Sequence, residues 1–454
     1  MQAMILPQGV TFALERLQNE GATAYLVGGC VRDHLRGILP HDYDIATDFL
    51  PEEVLRIFSD CRTVPTGLQH GTVTVLVDDT PLEITTFRVD GDYLDARHPE
   101  NVTFTRSFRE DAARRDFTVN AMGYSPYEGV VDFYGGRGDL ENRIIRTVGR
   151  AEARFREDAL RILRALRFSS VLDFEIEEET ARAAALLAPN LRAVSVERIY
   201  EELCKLLCGA RVFRVCTENR TVLAAVIPAL ADCFDFDQKN PHHVYDVFTH
   251  ILHTVESVAP DKILRLAAFL HDIGKPRCQS TDENGISHFY GHAALSATMA
   301  EEFLLSMHAE KETVRAVKEL VKHHGDPLPN DKYGLRKLVS KRGEEYVWRM
   351  LALKRADTLS QAPSCHGRLA EFDCIEEKLR ALLDEPPCFS ARDLALNGQE
   401  VMALGIPKGP LVGEVLAHLL DLVMAEKLPN EREALLAEST CFIAEKNRVK
   451  SQKN

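Results

Sequence analysis

The chain has no apolar run long enough to cross a bilayer, so no membrane helix is expected. Its opening residues, MQAMILPQGVTFALERLQNEG, lack both the basic leading segment and the apolar length of a secretory signal. The eleven cysteines are odd in number and include no CxxC pair. That excludes a disulfide framework or a paired-thiolate metal site, and reduced thiols in a cytoplasmic protein are the expectation. Cys204 and Cys208 lie one helical turn apart with no second pair nearby, which reads as helix packing. Internal repeats and low-complexity tracts are also missing. So is an excess of positive charge: 55 Lys and Arg face 69 Asp and Glu, for a net charge of −14. A globally basic nucleic-acid binder is therefore disfavoured, as is long nonspecific RNA tracking. Locally the balance reverses. Between Glu141 and Phe168 stand arginines 143, 146, 150, 154, 156, 161, 164 and 167 against acids 141, 152, 157 and 158. Such a stripe can carry RNA phosphates on an acidic protein.

At 454 residues the chain exceeds one hydrophobic core, and about two to four domains are expected. Residues 1–145 alternate helical and strand patterns. The β-rich runs 71–77 and 82–88 flank the turn Asp78-Asp79-Thr80-Pro81. From about residue 150 strand signals fade, and helical periodicity covers 153–210, 240–330, 333–383 and 411–447. Pro386-Pro387 reads as a joint, Ser390 as the cap opening a last helical unit, and KNRVKSQKN as a frayed tail. The expected fold class is α+β. A small mixed or antiparallel sheet head (1–145) is followed by an all-α neck (146–235), a helical domain (236–384) and a tail (385–454).

Residues 26–48, LVGGCVRDHLRGILPHDYDIATD, carry the main chemical signal. A strand pattern runs into Gly28-Gly29, a short helix bearing Arg32 and Asp33 follows, and Asp42 and Asp44 stand one residue apart. In an extended strand such residues share a face. Two carboxylates so placed call for divalent cations, and a metal pair flanking a phosphoryl centre serves in-line nucleotidyl transfer. The glycines let backbone N–H groups approach a triphosphate. Glu83 is either a third carboxylate or a structural partner.

With these residues the chain resembles the class II tRNA nucleotidyltransferases (CCA-adding enzymes) and the related bacterial poly(A) polymerases. Further matching segments are Arg114–Met122, Asp132–Gly136, Glu157–Phe168 (EDALRILRALRF) and Ser195–Ile199, in the family's order over roughly the first 210 residues. The resemblance implies that Asp42 and Asp44 are catalytic and hold Mg2+. Gly28, Gly29, Arg32 and Arg115 would contact nucleotide. Asp158 and Arg161, at i and i+3 of one helix, would face the same way and read the incoming base, a carboxylate accepting from an exocyclic amine and a guanidinium donating to the ring. Arg164 and Arg167 would continue that face towards nucleotide or RNA phosphate. The implied activity is template-independent CCA addition to tRNA from CTP and ATP. Sister readings are poly(A) polymerase or a CC-only or A-only enzyme. The loop 90–99 favours full CCA addition, and the acidic balance disfavours poly(A) polymerase.

A second constellation, His250, His271-Asp272 and Asp357, stands on helical patterns and resembles the HD phosphohydrolase superfamily. Its ligand types suit a divalent transition metal or Mg2+. His292 and His323-His324 could complete a second site, and Lys275 could meet a phosphate oxygen. His242, His243, His253 and His288 read as ordinary residues. A metal-dependent phosphohydrolase with an RNA-binding head is accordingly the alternative of a different reaction class.

Overall fold

The computed structural model describes residues 4–68, 71–78, 80–90, 102–384 and 388–451. They divide into two units: Met1–Asp232 with Phe303–Ala309, and Cys233–Glu302 with Glu310–Asn454.

In the first unit, α1 (Gln8–Asn19) places Val10, Ala13, Leu14 and Leu17 on one stripe and buries them. The strands are β1 (Ala24–Val27), β2 (Asp44–Thr47), β3 (Arg62–Gly67), β4 (Thr72–Val77), β5 (Thr80–Thr86), β6 (Arg88–Asp90), β7 (Val102–Phe104), β8 (Met122–Ser125) and β9 (Gly129–Asp132). Seven form one sheet in the order β3-β4-β5-β2-β1-β8-β9, in which only β2 and β5 run parallel. The head is thus the expected small mixed sheet. Val77 pairs with Thr80, so Thr80 and Pro81 belong to strand β5 and not to the expected turn.

Cross-strand partners share a face. Tyr25 opposes Ala46 and Val27 opposes Asp44; Gly123 and Val131 continue that face on one side, Glu83 on the other. The opposite face, with Leu26, Ile45 and Ile84, packs on α1 and α3 (Pro51–Ile57) in the larger core. Asp44 therefore stands on the face bearing the smaller cluster of Tyr25, Val27, Ala46, Phe87 and Phe108. There α4 (Phe108–Ala113) lies close to the sheet, because a Cβ on Gly123 would come within 2.6 Å of the Phe108 ring. The remaining helices of this unit are α2 (Gly29–Leu35), α5 (Gly136–Glu141), α6 (Ala151–Glu157), α7 (Leu160–Leu172), α8 (Glu178–Leu187), α9 (Val196–Leu207), α10 (Val212–Glu218) and α11 (Arg220–Val226).

The second unit is helical, from α12 (Val247–Ser257), α13 (Lys262–Leu270) and α14 (His292–Ser306) through α15 (Lys311–His323), α16 (Lys332–Arg342), α17 (Glu344–Leu359) and α18 (Leu369–Leu383) to α19 (Gly398–Met402), α20 (Pro410–Met424) and α21 (Arg432–Ser451). Helix α13 is central: Leu264 to Leu270 are all buried, and its end delivers His271 and Asp272. Three local expectations change. Two-residue ladders, Ile144–Ile145 with Glu175–Ile176 and Ser280–Thr281 with Ser287–His288, interrupt the helical regions. Ser390 sits in a turn closed by the Asp393 carboxylate, and the next helix is capped by Asn397. Of the expected frayed tail, residues 446–451 continue the last helix, and 452–454 lie outside the described residues. The expected joint and the loop 91–99 lie outside the described residues.

Candidate active site and candidate metal centre

Strand β1 ends at Val27 and is followed by Gly28, whose φ of 76° favours glycine. A Cβ there would lie 3.7 Å from an Arg115 Nη and 4.0 Å from an Asp44 carboxylate oxygen, so this turn faces both groups. Tyr43 is buried, whereas Asp42 and Asp44 on either side of it keep solvent access along part of each side chain, as alternation requires. Asp42 precedes β2, whereas Asp44 is its first residue. In the parallel pairing Glu83 stands beside Asp44. Burial raises the Asp44 carboxyl above its ordinary range, Glu83 and Asp42 raise it further, and Arg115 opposes them. Three acids meeting one guanidinium leave surplus negative charge, which suits a divalent cation.

Buried acids set the arginines of this site. Arg114 and Arg115 both bond Asp111, at 2.7 and 3.0 Å. Arg32 donates to Asn120 Oδ1 at 2.8 Å and to Asp33 at 2.9 Å. Arg164 pairs with Asp116 at 2.6 Å, and Arg167 with buried Glu202 at 2.6 Å. Asp111, Asn120 and Glu202 were not singled out from sequence. Asp111 was findable, standing three and four residues before two arginines on one helix. Burial pushes its carboxyl up, but Arg115 and Arg114 outweigh this and hold it below the ordinary range. Its pairing thus stabilises the fold above the unfolded carboxylate pKa, and this is lost as pH falls through the lower folded value. Asp111→Asn removes the buried charge that both guanidinium groups bond. It is expected to cost about 3 kcal/mol in urea unfolding at pH 7. An unchanged midpoint would exclude this role.

The pair Asp158 and Arg161 departs from expectation. Asp158 is not on a helix face: α6 stops at Glu157, and Asp158 is extended (φ −141°, ψ 103°) before α7 begins at Leu160. Its carboxylate bonds Arg198 at 2.7 Å. Arg161 instead donates to Glu157 at 2.7 Å and to the Arg114 carbonyl at 2.9 Å. The i, i+3 argument fails because one extended residue separates two helices. Both side chains are still held firmly, each by a different partner.

In the second unit four imidazoles converge. The Nδ1 atoms of His250, His271, His292 and His324 lie 3.2, 2.7, 2.7 and 2.7 Å from the carbonyl oxygens of Ser360, Ala268, Phe289 and Val321. Donation there fixes each tautomer and turns the Nε2 lone pair inward. His250 and His271 Nε2 are 3.3 and 3.2 Å from Asp272 Oδ2, and His250 Nε2 is 3.0 Å from Asp357. His292 and His324 Nε2 are 3.3 and 3.6 Å from Asp272 Oδ1, which is buried without a hydrogen bond. Two donor sets, His250/His271/Asp272 and Asp272/His292/His324, therefore share one carboxylate. Lone pairs facing a carboxylate at these distances need a cation or a proton between them. Burial lowers the His250 pKa, but its bonds to Asp272 and Asp357 outweigh this and raise it to about 9. A metal-free centre therefore holds a proton there. Lys275 lies 2.7 Å from Asp272.

All four expected ligands of this centre meet, and His324 joins them. His323 does not; it pairs with Asp326 at 2.6 Å. His243 belongs here too, against expectation: its Nε2 is 3.5 Å from the Lys275 amine and its Nδ1 is buried without a partner. Burial, then Lys275, lowers its pKa to about 3. Only the chain reversal before α12 brings it in.

Comparison with known proteins is consistent along the chain. Residues 24–146 match the family described as "Poly A polymerase head domain", 173–218 "Probable RNA and SrmB- binding site of polymerase A", and 279–438 "tRNA nucleotidyltransferase domain 2 putative". The CCA-adding enzyme of Geobacillus stearothermophilus is 34% identical over 97% of this chain and 97% of its own length. That of Enterococcus faecalis is 32% identical over 97% and 96%. Among solved structures, the Bacillus stearothermophilus CCA-adding enzyme in complex with CTP aligns with TM-score 0.72 and 30% identity, covering 99% of this chain and all of that one. The Thermotoga maritima CCA-adding enzyme complexed with tRNA_CCA shares the fold, with TM-score 0.58 and 19% identity.

Proposed function

Because the chain belongs to the CCA-adding enzyme family of tRNA nucleotidyltransferases, we propose that it adds C, C and A to the 3′ end of tRNA, taking CTP and ATP as substrates. The observation that carries this reading is the meeting of Asp42, Asp44 and Glu83 with the Gly28 turn and Arg115. Asp42 and Asp44 would hold Mg2+, with Glu83 beside them. Bound there, Mg2+ would neutralise the triphosphate and increase the acidity of the attacking 3′-hydroxyl. The backbone N–H groups at Gly28 and Gly29 would face the phosphates, and Arg32 and Arg115, already fixed by Asn120 and Asp111, would bind them without further ordering.

Base choice falls to Asp158 and Arg161. Each is anchored by a separate partner, Arg198 or Glu157, so their hydrogen-bonding edges are set before the nucleotide arrives. Arg164 and Arg167 back this wall. Arg161→Ala is expected to admit UTP and GTP, narrowing discrimination by about tenfold or more, with triphosphate affinity little changed. Single-nucleotide incorporation with each of the four triphosphates measures it. An equal loss for all four would remove the selecting role.

The second unit supports a further reading, carried by its four inward Nε2 atoms around Asp272: a metal-dependent phosphohydrolase centre of the HD type. Divalent ions held by His250, His271, Asp272 and Asp357, with His292 and His324, would polarise a phosphoester and increase the acidity of a water. Lys275 would meet a phosphate oxygen. Release of phosphate from 2′,3′-cyclic nucleotides, abolished by chelation, is the test.

A further inference from the structure

The catalytic face of the sheet carries an aromatic ladder that the reaction chemistry leaves unused. Tyr25 and Phe108 lie 4.7 Å apart, Phe87 and Phe108 5.6 Å, and Phe108 and Phe133 6.1 Å, centroid to centroid. The first three rings are buried; Phe133 ends the row and is 43% exposed. It follows β9 two residues after Val131, which shares the face of Val27 and Asp44 through Gly123. The Arg109 guanidinium lies 5.7 Å from the Phe133 centroid. The Tyr134 hydroxyl donates to the Arg109 carbonyl at 2.9 Å and ties the two segments together. Among the described residues the exposed Arg109 has no carboxylate partner. An exposed ring with a guanidinium beside it fits a base with its phosphate.

Helix α4 supplies the scale. From Phe108 to Ala113, two residues before the Arg115 that lies beside Gly28, the helical rise is about 8 Å, and the two further residues lengthen that reach. A stacked strand advances roughly 3.4 Å per nucleotide.

We propose that Phe133 and Arg109 form a stacking platform for an unpaired base of the RNA primer, about three nucleotides before its 3′ end. The platform is a positioning element: it fixes the strand so that the terminal hydroxyl points at Asp42 and Asp44. It rests on the reading of the first unit as an RNA-extending site.

The test uses a tRNA transcript ending in CC with 2-aminopurine three nucleotides from the 3′ end. Binding to the full chain is expected to quench its fluorescence. Phe133→Ala and Phe133→Leu should lose the quench and raise the KM for RNA about tenfold, with the KM for ATP unchanged. Phe133→Tyr should restore both. Phe133→Leu keeps apolar bulk at an exposed position, so a folding defect would not explain its loss. A native quench and KM in Phe133→Leu would overturn the platform. The fluorescence titration needs no turnover, so failure of the native chain to incorporate AMP would count against the extension reading alone.

Discussion

Asp44→Asn is expected to lower CMP and AMP incorporation by about 1,000-fold or more while RNA binding persists. Asparagine keeps the shape and one oxygen but removes the charge that would hold Mg2+ against the triphosphate. The same substitution has an opposite effect on stability. The folded Asp44 carboxyl is raised by burial, Glu83 and Asp42. The native state therefore holds this proton more readily than the unfolded chain. The associated stability is present at low pH and is lost as pH rises through the raised folded value. At neutral pH without metal, the charged Asp44 is a source of strain. Asp44→Asn should melt no lower than the native chain in metal-free buffer, and Mg2+ should raise the melting temperature of the native chain more than that of the variant. A variant that loses activity and also melts much lower would point to a structural role.

Asp272→Ala is the second large effect. This carboxylate is 1% exposed and stands between both imidazole pairs. Its loss should weaken divalent-metal binding by more than about 100-fold and abolish chelator-sensitive phosphoester hydrolysis. CMP and AMP incorporation should be unchanged. Metal analysis of the purified variant, with both activities assayed in parallel, measures this. Retained metal would place the binding elsewhere. The centre also predicts a pH dependence. In the metal-free chain His250 has its pKa raised to about 9, so the stability from its proton is full below the unfolded value near 6.5 and is lost as pH rises through 9. A metal ion replaces that proton. The stabilisation gained from added metal should therefore be larger at pH 9 than at pH 6.

Both sites were largely legible in the sequence where chemistry sits on consecutive or periodic residues. Gly28-Gly29 ahead of Asp42 and Asp44 needed only strand alternation, and His271-Asp272 only an apolar helix that stops. Residues brought in by long-range pairing were not legible. Glu83 comes to stand beside Asp44 only through the β2–β5 register. Glu202 meets Arg167 only through the packing of α7 on α9. His243 reaches Lys275 because residues 233–246 fold back before α12. The expected pairing of Asp158 with Arg161 failed for a local reason: continuous helical periodicity in 151–172 hides a single extended residue that tertiary contacts, chiefly Arg198, hold in place.

The most direct test of the central claim is incorporation of labelled CTP and ATP, with Mg2+, into three tRNA transcripts ending before CCA, after C and after CC. Addition of C, C and A to the first, C and A to the second and A to the third, then arrest, is the predicted result. An A tail that keeps extending, or no incorporation into any transcript, would contradict it.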